Sequence, residues 1–243
     1  MLLQSSISDF PEQFSRTEQL IGEKALKKLQ GATIAIFGLG GVGSFTVEAL
    51  VRAGIGKLIL VDHDKIQPSN INRQLFATHS TINKLKIDIA CKRIKDINPK
   101  CIVKSFPLFY TKNIDKSCST NLQLLEDELS KCSYIVDAID TVSSKLLLIE
   151  KAKALEIPII SCMGTGNKVD PCQFKISDIY KTEMCPLARV IRQECKKRHI
   201  KHLKVLFSTE KPITNQSPPA SISYVTAIAG LMLASEVISN LIT

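Results

Sequence analysis

IAIFGLGGVGS, residues 34–44, is an apolar run that enters a Gly-x-Gly-Gly-x-Gly turn, and LILVDHD, residues 58–64, is a second apolar run that ends in two aspartates. The pattern predicts strands at 33–37 and 57–61 with a helix at 42–53 between them. Glycine turns of this kind let backbone N–H groups approach a phosphate at a helix N-terminus. The stretch therefore predicts a nucleotide site, without deciding which nucleotide.

The residues expected to hold the nucleotide are the glycines of the turn and the two acids after the second strand. Asp62 is placed to accept hydrogen bonds from both ribose hydroxyls, whereas Asp64 serves either the nucleotide or the turn. The glycines are Gly38, Gly40, Gly41 and Gly43.

Further polar residues follow the second strand at once, and a dehydrogenase does not need them. Asn70 and Gln74 supply neutral hydrogen bonds, and Arg73 and Lys86 supply two cations. An enzyme that attacks an α-phosphate needs such cations, because negative charge builds up on the departing pyrophosphate. Spacing alone leaves Lys84 as a rival to Lys86.

Asp140 follows a later apolar run, SYIVDA at 133–138, and is expected at the same edge of the sheet. The carboxyl ends of parallel strands form the ligand edge of such sheets. A carboxylate there is suited to hold Mg²⁺ beside phosphates.

Strands alternate with helices along most of the chain, so the fold class is α/β with a Rossmann-like, mostly parallel sheet and helices on both faces. Helices are expected at 17–29 and 81–97. After about residue 163 the pattern changes to antiparallel strands and turns, a basic helix at 185–201 and a strand at 203–213. We therefore expect an adenylation-type nucleotide domain at 1–165 and a smaller C-terminal part at 166–243 that adds to the same sheet.

Composition narrows the setting. The 243 residues carry a formal net charge of +9, which indicates an anionic partner such as nucleic acid or polyphosphate. Eight cysteines occur without a Cys-x-x-Cys pair, so no structural zinc is expected. With no signal peptide, we expect reduced thiols and a cytoplasmic protein. The apolar segment 222–242 reads as a packed helix rather than a membrane anchor.

Several motifs resemble the E1-like adenylating superfamily, which includes the ThiF, MoeB and HesA proteins and the ubiquitin-activating enzymes. The resemblance covers about residues 14–165 and is carried by GLGGVGS at 38–44, VDHDKIQPSNINRQ at 61–74, INP at 97–99 and VDAIDT at 136–141.

The resemblance implies roles for individual residues and favours Lys86 over Lys84, because Lys86 stands at the family's distance before INP. Arg73 and Lys86 are then the phosphate contacts and catalytic residues, together with Asp140 on the metal side; ATP and Mg²⁺ are the implied ligands. Arg16 resembles, more loosely, an arginine that reaches into the neighbouring site of a homodimer.

Within the superfamily the chain is most similar to the tRNA threonylcarbamoyladenosine dehydratases. FSRTEQLIGEKAL at 14–26, MGTGNKVDP at 163–171 and VLFSTEKP at 205–212 carry this similarity. It implies adenylation of the threonyl carboxylate of N6-threonylcarbamoyladenosine in tRNA, then ring closure with loss of AMP. The basic run KKRHIKHLK at 196–204 suits a tRNA backbone contact.

Other functions remain open at this point. A ThiF/MoeB-type enzyme would adenylate the C-terminal Gly-Gly of a sulfur-carrier protein, with a cysteine desulfurase or a sulfur acceptor as partner. Cys185 lies in about the region where such relatives carry a catalytic cysteine, although direct cyclisation needs none. A NAD(P)-dependent oxidoreductase and a non-catalytic scaffold would leave Arg73, Lys86 and Asp140 unexplained.

Overall fold

A single seven-stranded sheet runs through the molecule in the order β3-β2-β1-β4-β5-β7-β6. The computed structural model describes residues 10–112, 119–214, 216 and 218–243. Its strands are β1 (Thr33–Phe37), β2 (Lys57–Val61), β3 (Ile102–Phe106), β4 (Tyr134–Asp137), β5 (Ile159–Cys162), β6 (Phe174–Asp178) and β7 (Lys204–Ser208). All neighbouring pairs are parallel except β6 and β7, so the carboxyl ends of six strands meet at one edge.

Helices cover both faces of this sheet, because successive residues of each inner strand point to opposite sides. Ile34 and Ile36 belong to one buried cluster, whereas Ala35 and Phe37 belong to another. The described helices are α1 (Ser15–Ile21), α2 (Glu23–Gly31), α3 (Gly43–Ala53), α4 (Lys86–Ile97), α5 (Ser119–Leu129), α6 (Val142–Ala154), α7 (Pro186–Lys197) and α8 (Ser223–Ile242). Helices α2, α3, α4 and α8 pack on the first face, and α5, α6 and α7 on the second. The predicted α/β fold class is confirmed.

Two predicted helices differ from the observed ones. The helix expected at 17–29 is divided at Gly22, whose φ of +82° is a left-handed value that favours glycine and interrupts a right-handed helix. The helix expected at 81–97 begins at Lys86, because Lys65 forms an isolated bridge with Leu85 and holds that segment extended.

The C-terminal part is continuous with the sheet. Strand β7 pairs with β5, and β6 closes this edge by pairing antiparallel with β7. The strand expected at 203–213 is shorter, at 204–208, and the basic helix is 186–197. The division at residue 165 stays a prediction.

Helix α8 is the apolar segment predicted at 222–242. Among the described helices, α8 alone is long and apolar enough to cross a membrane, judged by length and composition. One side of α8 is buried in the first-face cluster, where Val225, Ala229 and Leu233 pack against the neighbouring helices. This packing accounts for its apolar character as a core helix.

Candidate functional site

A cavity of about 610 Å³ opens at the carboxyl ends of the parallel strands. Segments from the whole length of the chain line it, as expected where parallel strand ends converge. Predicted site residues that line it are Gly38, Gly40, Gly41, Asp62, Asp64, Asn70, Arg73, Gln74, Lys86 and Asp140. The structure thus gathers into one cavity residues that are spread over more than 100 positions of sequence.

The glycine turn forms one wall, and its shape depends on missing side chains. Gly38 has a φ of +88°, and a Cβ on it would lie 2.6 Å from the carbonyl oxygen of Ala138. A Cβ on Gly41 would lie 3.0 Å from Thr226 Oγ1 and 3.3 Å from Arg73 Cγ. Gly43 is outside the lining: a Cβ there would collide with the carbonyl oxygen of Gly38, so this glycine lets the helix start pack behind the turn.

Asp62 is buried at the end of β2 and is held by the backbone. Its two carboxylate oxygens accept hydrogen bonds from the N–H groups of Leu39, at 2.6 Å, and Asp64, at 2.8 Å. Burial raises the pKa of Asp62, and the nearby Lys86 charge and the two N–H groups oppose this shift. The carboxylate is therefore oriented beside the glycine turn, where a ribose would meet it.

Lys86 is buried at the start of α4, and its Nζ donates to Asp64 Oδ2 at 2.6 Å. The side chain of Asp64 is 48% exposed, so solvent reaches the carboxylate of this ion pair. Lys84 is exposed and does not line the cavity. The structure separates the two lysines that spacing alone could not.

Arg73 lies next to Gly41 of the glycine turn and is anchored on one side. Its Nη1 donates to the carbonyl of Ser69 and to Asn72 Oδ1, both at 2.9 Å. Gln74 is buried, and the side-chain oxygen of Asn70 accepts from the N–H of Gln67 at 3.0 Å. Asn70 thereby stabilises the short turn that carries Arg73.

Asp140 is the lining acid best suited to a cation. It is exposed, and its described contact is a 3.3 Å hydrogen bond from Thr141 Oγ1, which leaves carboxylate oxygens free. Asp62, His63 and Asp64 also bring ligand atoms within 4.8 Å of one another. Since Asp62 is occupied by backbone N–H groups and Asp64 by the Lys86 ammonium, that cluster suits a metal less well.

A buried ion pair supports the turn that presents Asp140, and sequence reasoning missed it. Asp137 and Lys145 are both fully buried, with Lys145 Nζ 2.9 Å from Asp137 Oδ2. Lys145 also donates to the carbonyl of Ile139 at 2.8 Å, and Asp137 accepts from Ser161 Oγ and the N–H of Ile139. An acid at the end of an apolar strand, followed by a lysine on the buried face of a helix, was the available signal.

Two other parts of the cavity wall were not predicted. Leu108, Phe109 and Tyr110 follow β3 and form an apolar wall beyond Asp62, suited to a nucleobase. Residues 162–166 at the end of β5, with Leu187, Pro218, Pro219 and Ser221, form a second part of the lining, the second lobe. The carboxyl end of every parallel strand lies at the ligand edge of the sheet, so the segments that follow β3 and β5 could have been predicted to line the cavity.

Cysteine chemistry gains no support from the geometry. Cys162 lines the cavity, but burial raises its pKa to about 12 and its thiol contacts the carbonyl oxygen of Met163. Cys185 is buried below Gly164 at the start of α7 and lines a separate cleft. Arg16 lies exposed on α1 and does not line the cavity of its own chain.

The profile of the ThiF family matches residues 14–243, which is nearly the whole chain. The chain belongs to the ThiF family. A tRNA threonylcarbamoyladenosine dehydratase of Bacillus subtilis is 39% identical over 95% of this chain and 94% of its own length. The dehydratase of the same name from Escherichia coli is 36% identical over 87% of this chain and 79% of its own length.

Solved structures give the same relationship. A crystal structure of the E. coli tRNA N6-threonylcarbamoyladenosine dehydratase TcdA in complex with ATP matches with a TM-score of 0.85 and 32% identity. The match covers 97% of this ThiF-family chain and 96% of the other. A complex of TcdA with AMP matches with the same score, so a TcdA protein has been crystallised with both nucleotides.

Proposed function

We propose that this ThiF-family chain is an ATP-dependent dehydratase that cyclises N6-threonylcarbamoyladenosine in tRNA. The observation that carries the proposal is that the glycine turn, Asp62, Arg73, Lys86 and Asp140 line the same cavity as the residues of the second lobe. The identity of the carboxylate comes from the relatives, which bear that activity in their names.

The chemistry follows from the two halves of the cavity. Asp62 holds the ribose, and the threonyl carboxylate in the second lobe attacks the α-phosphorus of ATP. The new bond joins a carboxylate oxygen to phosphorus, and the bond to the β-phosphate oxygen breaks. Arg73 and Lys86 stabilise the charge that collects on pyrophosphate as it leaves. An amide nitrogen or oxygen of the substrate then attacks the acyl carbon; the bond from that carbon to the AMP oxygen breaks, AMP leaves, and the amide N–H proton is lost to solvent.

Mg²⁺ is proposed as a cofactor, because Asp140 offers free carboxylate oxygens at the phosphate side of the cavity. Mg²⁺ in such sites is usually held by one or two carboxylates with substrate phosphates and water. When bound it would neutralise phosphate charge; this chain's part is to present Asp140 on the turn braced by Asp137 and Lys145.

The matched pair Lys86 and Lys84 tests the nucleotide half. Lys86→Met should abolish ATP–pyrophosphate exchange, because it removes a buried cation from the cavity, whereas Lys84→Met should leave exchange intact. Equal effects of the two variants would contradict the phosphate assignment.

The substrate is tested by supplying either threonylcarbamoyl-modified tRNA or a carrier protein that ends in Gly-Gly, with the cyclic nucleoside detected by mass spectrometry. Turnover with the carrier alone would favour the sulfur-carrier alternative.

The basic run at 196–204 is proposed to contact the tRNA backbone. Helix α7 begins beside Leu187 in the cavity wall, and twelve residues place its basic end about 18 Å away. Arg198 is paired with Glu150 and Glu194. Charge reversal at the exposed Lys196 and Lys201 is therefore the cleaner test: tRNA affinity should fall and ATP affinity should not. Unchanged tRNA affinity would contradict this surface.

A homodimer is proposed from the family resemblance, with Arg16 entering the partner's cavity. Helix α8 leaves Tyr224 and Leu231 exposed on one side, which is an apolar face suited to a second subunit. Mixing an Arg16→Ala chain with a Lys86→Met chain tests it: activity should reappear, because hybrid dimers contain one site with both residues. Failure of the mixture to recover activity would contradict the shared site.

The proposal includes a cytoplasmic location. It also assigns the nucleotide to residues 1–165 and the substrate and subunit contacts to residues 166–243. A sulfur-transfer partner stays a prediction.

A further inference from the structure

Arg73 is held on one edge of its guanidinium and open on the other. Both hydrogens of Nη1 are used, by the carbonyl of Ser69 and by Asn72 Oδ1. Among the residues that the structure describes, Nε and Nη2 have no hydrogen-bond partner. An arginine fixed in this way presents its remaining N–H groups as a fork, the geometry that binds a phosphate best.

The anchor on Arg73 depends on which way the amide of Asn72 points. Its oxygen faces Arg73, and its nitrogen donates to the carbonyl of Ser221 at 3.0 Å. If the Ser221 carbonyl moves away, the amide is free to turn and the acceptor is no longer held opposite Nη1. Asn72 lies outside the cavity lining, so any effect on a nucleotide passes through its two contacts in the lining, Arg73 and Ser221.

Ser221 belongs to a wall segment, residues 218–221, that borders the second lobe of the cavity. Asn167 holds this segment: its N–H donates to the carbonyl of Ala220, and the N–H of Ala220 donates to Asn167 Oδ1, both at 2.7 Å. Gly166 permits the close approach, since a Cβ there would lie 2.6 Å from Pro219 Cβ. The segment is therefore latched to Asn167, the residue after Gly166 of the second lobe, and is linked through Asn72 to Arg73.

We propose that Asn72 is a positioning residue that makes the phosphate contact of Arg73 depend on the placement of the wall segment. The inference rests on the proposed function for the role of Arg73. A substrate seated in the second lobe against residues 218–221 then fixes Asn72, which fixes the guanidinium. Coupling of this kind is reciprocal, so ATP would also stabilise the wall segment. The arrangement favours pyrophosphate departure when the carboxylate substrate is in place.

The first test compares affinities for ATP and AMP by calorimetry. Asn72→Ala should weaken ATP about tenfold, because an anchored charged hydrogen bond is lost, and should leave AMP unchanged because AMP lacks the β- and γ-phosphates. Arg73→Ala is the reference, with a larger loss for ATP alone. If Arg73→Ala weakens ATP and Asn72→Ala does not, the inference is overturned and the proposed function stands. If Arg73→Ala has no effect, the phosphate assignment of the proposed function is overturned, and the inference falls with it.

The second test asks whether the wall segment acts through Asn72. Asn167→Gly removes the side-chain bond of the latch, from the N–H of Ala220 to Asn167 Oδ1, and keeps the backbone bond and a backbone able to adopt the φ of +59° seen there. It should lower ATP affinity several-fold in the native chain. In an Asn72→Asp background it should have no further effect, because both oxygens of Asp accept from Arg73 and the orientation no longer matters. The same loss in both backgrounds, or no loss in either, overturns the coupling.

Discussion

Lys145→Met removes the cation of a fully buried ion pair while keeping a long apolar side chain in its place. Asp137 would remain at the end of β4 with hydrogen bonds from Ser161 and Ile139 but no opposite charge. Breaking a buried pair on one side costs about 3–5 kcal/mol of unfolding free energy. In a chain of this size the melting temperature should fall by about 6–20 °C.

Thermal and urea unfolding of four variants measure the effect: Lys145→Met, Asp137→Asn, their combination, and the control Lys153→Met. Asp137→Asn combined with Lys145→Met should be less destabilised than Lys145→Met alone, because the double variant buries no net charge. Lys153→Met, at the exposed end of the same helix, is the matched control and should change stability by less than about 0.5 kcal/mol. The Lys145 variant should also lose pyrophosphate exchange below its melting temperature, since the turn that carries Asp140 loses its brace.

Two results would refute this reasoning. One is a Lys145→Met chain as stable as the Lys153→Met control, which would mean that water or a structural shift compensates Asp137. The other is a double variant whose loss equals the sum of the single losses, which would mean that the two charges do not interact in the folded chain.

The remaining predictions concern single residues of the cavity wall. Ser144 Oγ is buried without a hydrogen-bond partner among the described atoms, so Ser144→Ala should raise stability by about 1 kcal/mol, and a lowered melting temperature would contradict this. Gly38→Ala should cost about 1–3 kcal/mol and abolish ATP binding, because the left-handed backbone and the Ala138 carbonyl leave no room; normal calorimetric titration would contradict it. Burial raises the pKa of Asp62, so acidification should weaken ATP binding at a higher pH than for an ordinary aspartate, and Asp62→Asn should abolish this step. Folding stability depends on pH in the opposite direction to ATP binding. Because the folded state prefers the neutral form of Asp62, the contribution of this group to the free energy of unfolding becomes more favourable as pH falls through the raised pKa.

The sequence predicted the fold where local and global signals agree. Strands β1 and β2 are apolar over their whole length and end at turn residues, so their bounds were predicted correctly. The start of α4 was not predictable, because a strand-like bridge at Leu85 overrides a helical pattern that begins earlier in the sequence. The break at Gly22 shows the reverse case, in which one glycine outweighs a continuous apolar period.

For the site, prediction succeeded near the glycine turn and weakened with distance along the chain. Residues 38–86 follow one another within a single β-α-β unit, and their convergence follows from strand direction. The wall segment 218–221 comes after the last strand and is brought to the cavity by Asn72 and Asn167. Contacts of that kind join loops, which have no period to read. Asp137 and Lys145 were missed for another reason. A charged residue that adjoins an apolar run is expected to be exposed, whereas both of these side chains are buried.

The cavity takes its walls from positions 37 to 226, so the complete cavity requires nearly the whole chain to be folded. A nucleotide bound there adds its binding free energy to the global stability, about 2.7 kcal/mol at a concentration one hundred times the dissociation constant. Partial unfolding at either end would empty the site and expose the core together. The chain with nucleotide bound should therefore be cut more slowly by a protease than the empty chain, which limited proteolysis with and without ATP measures.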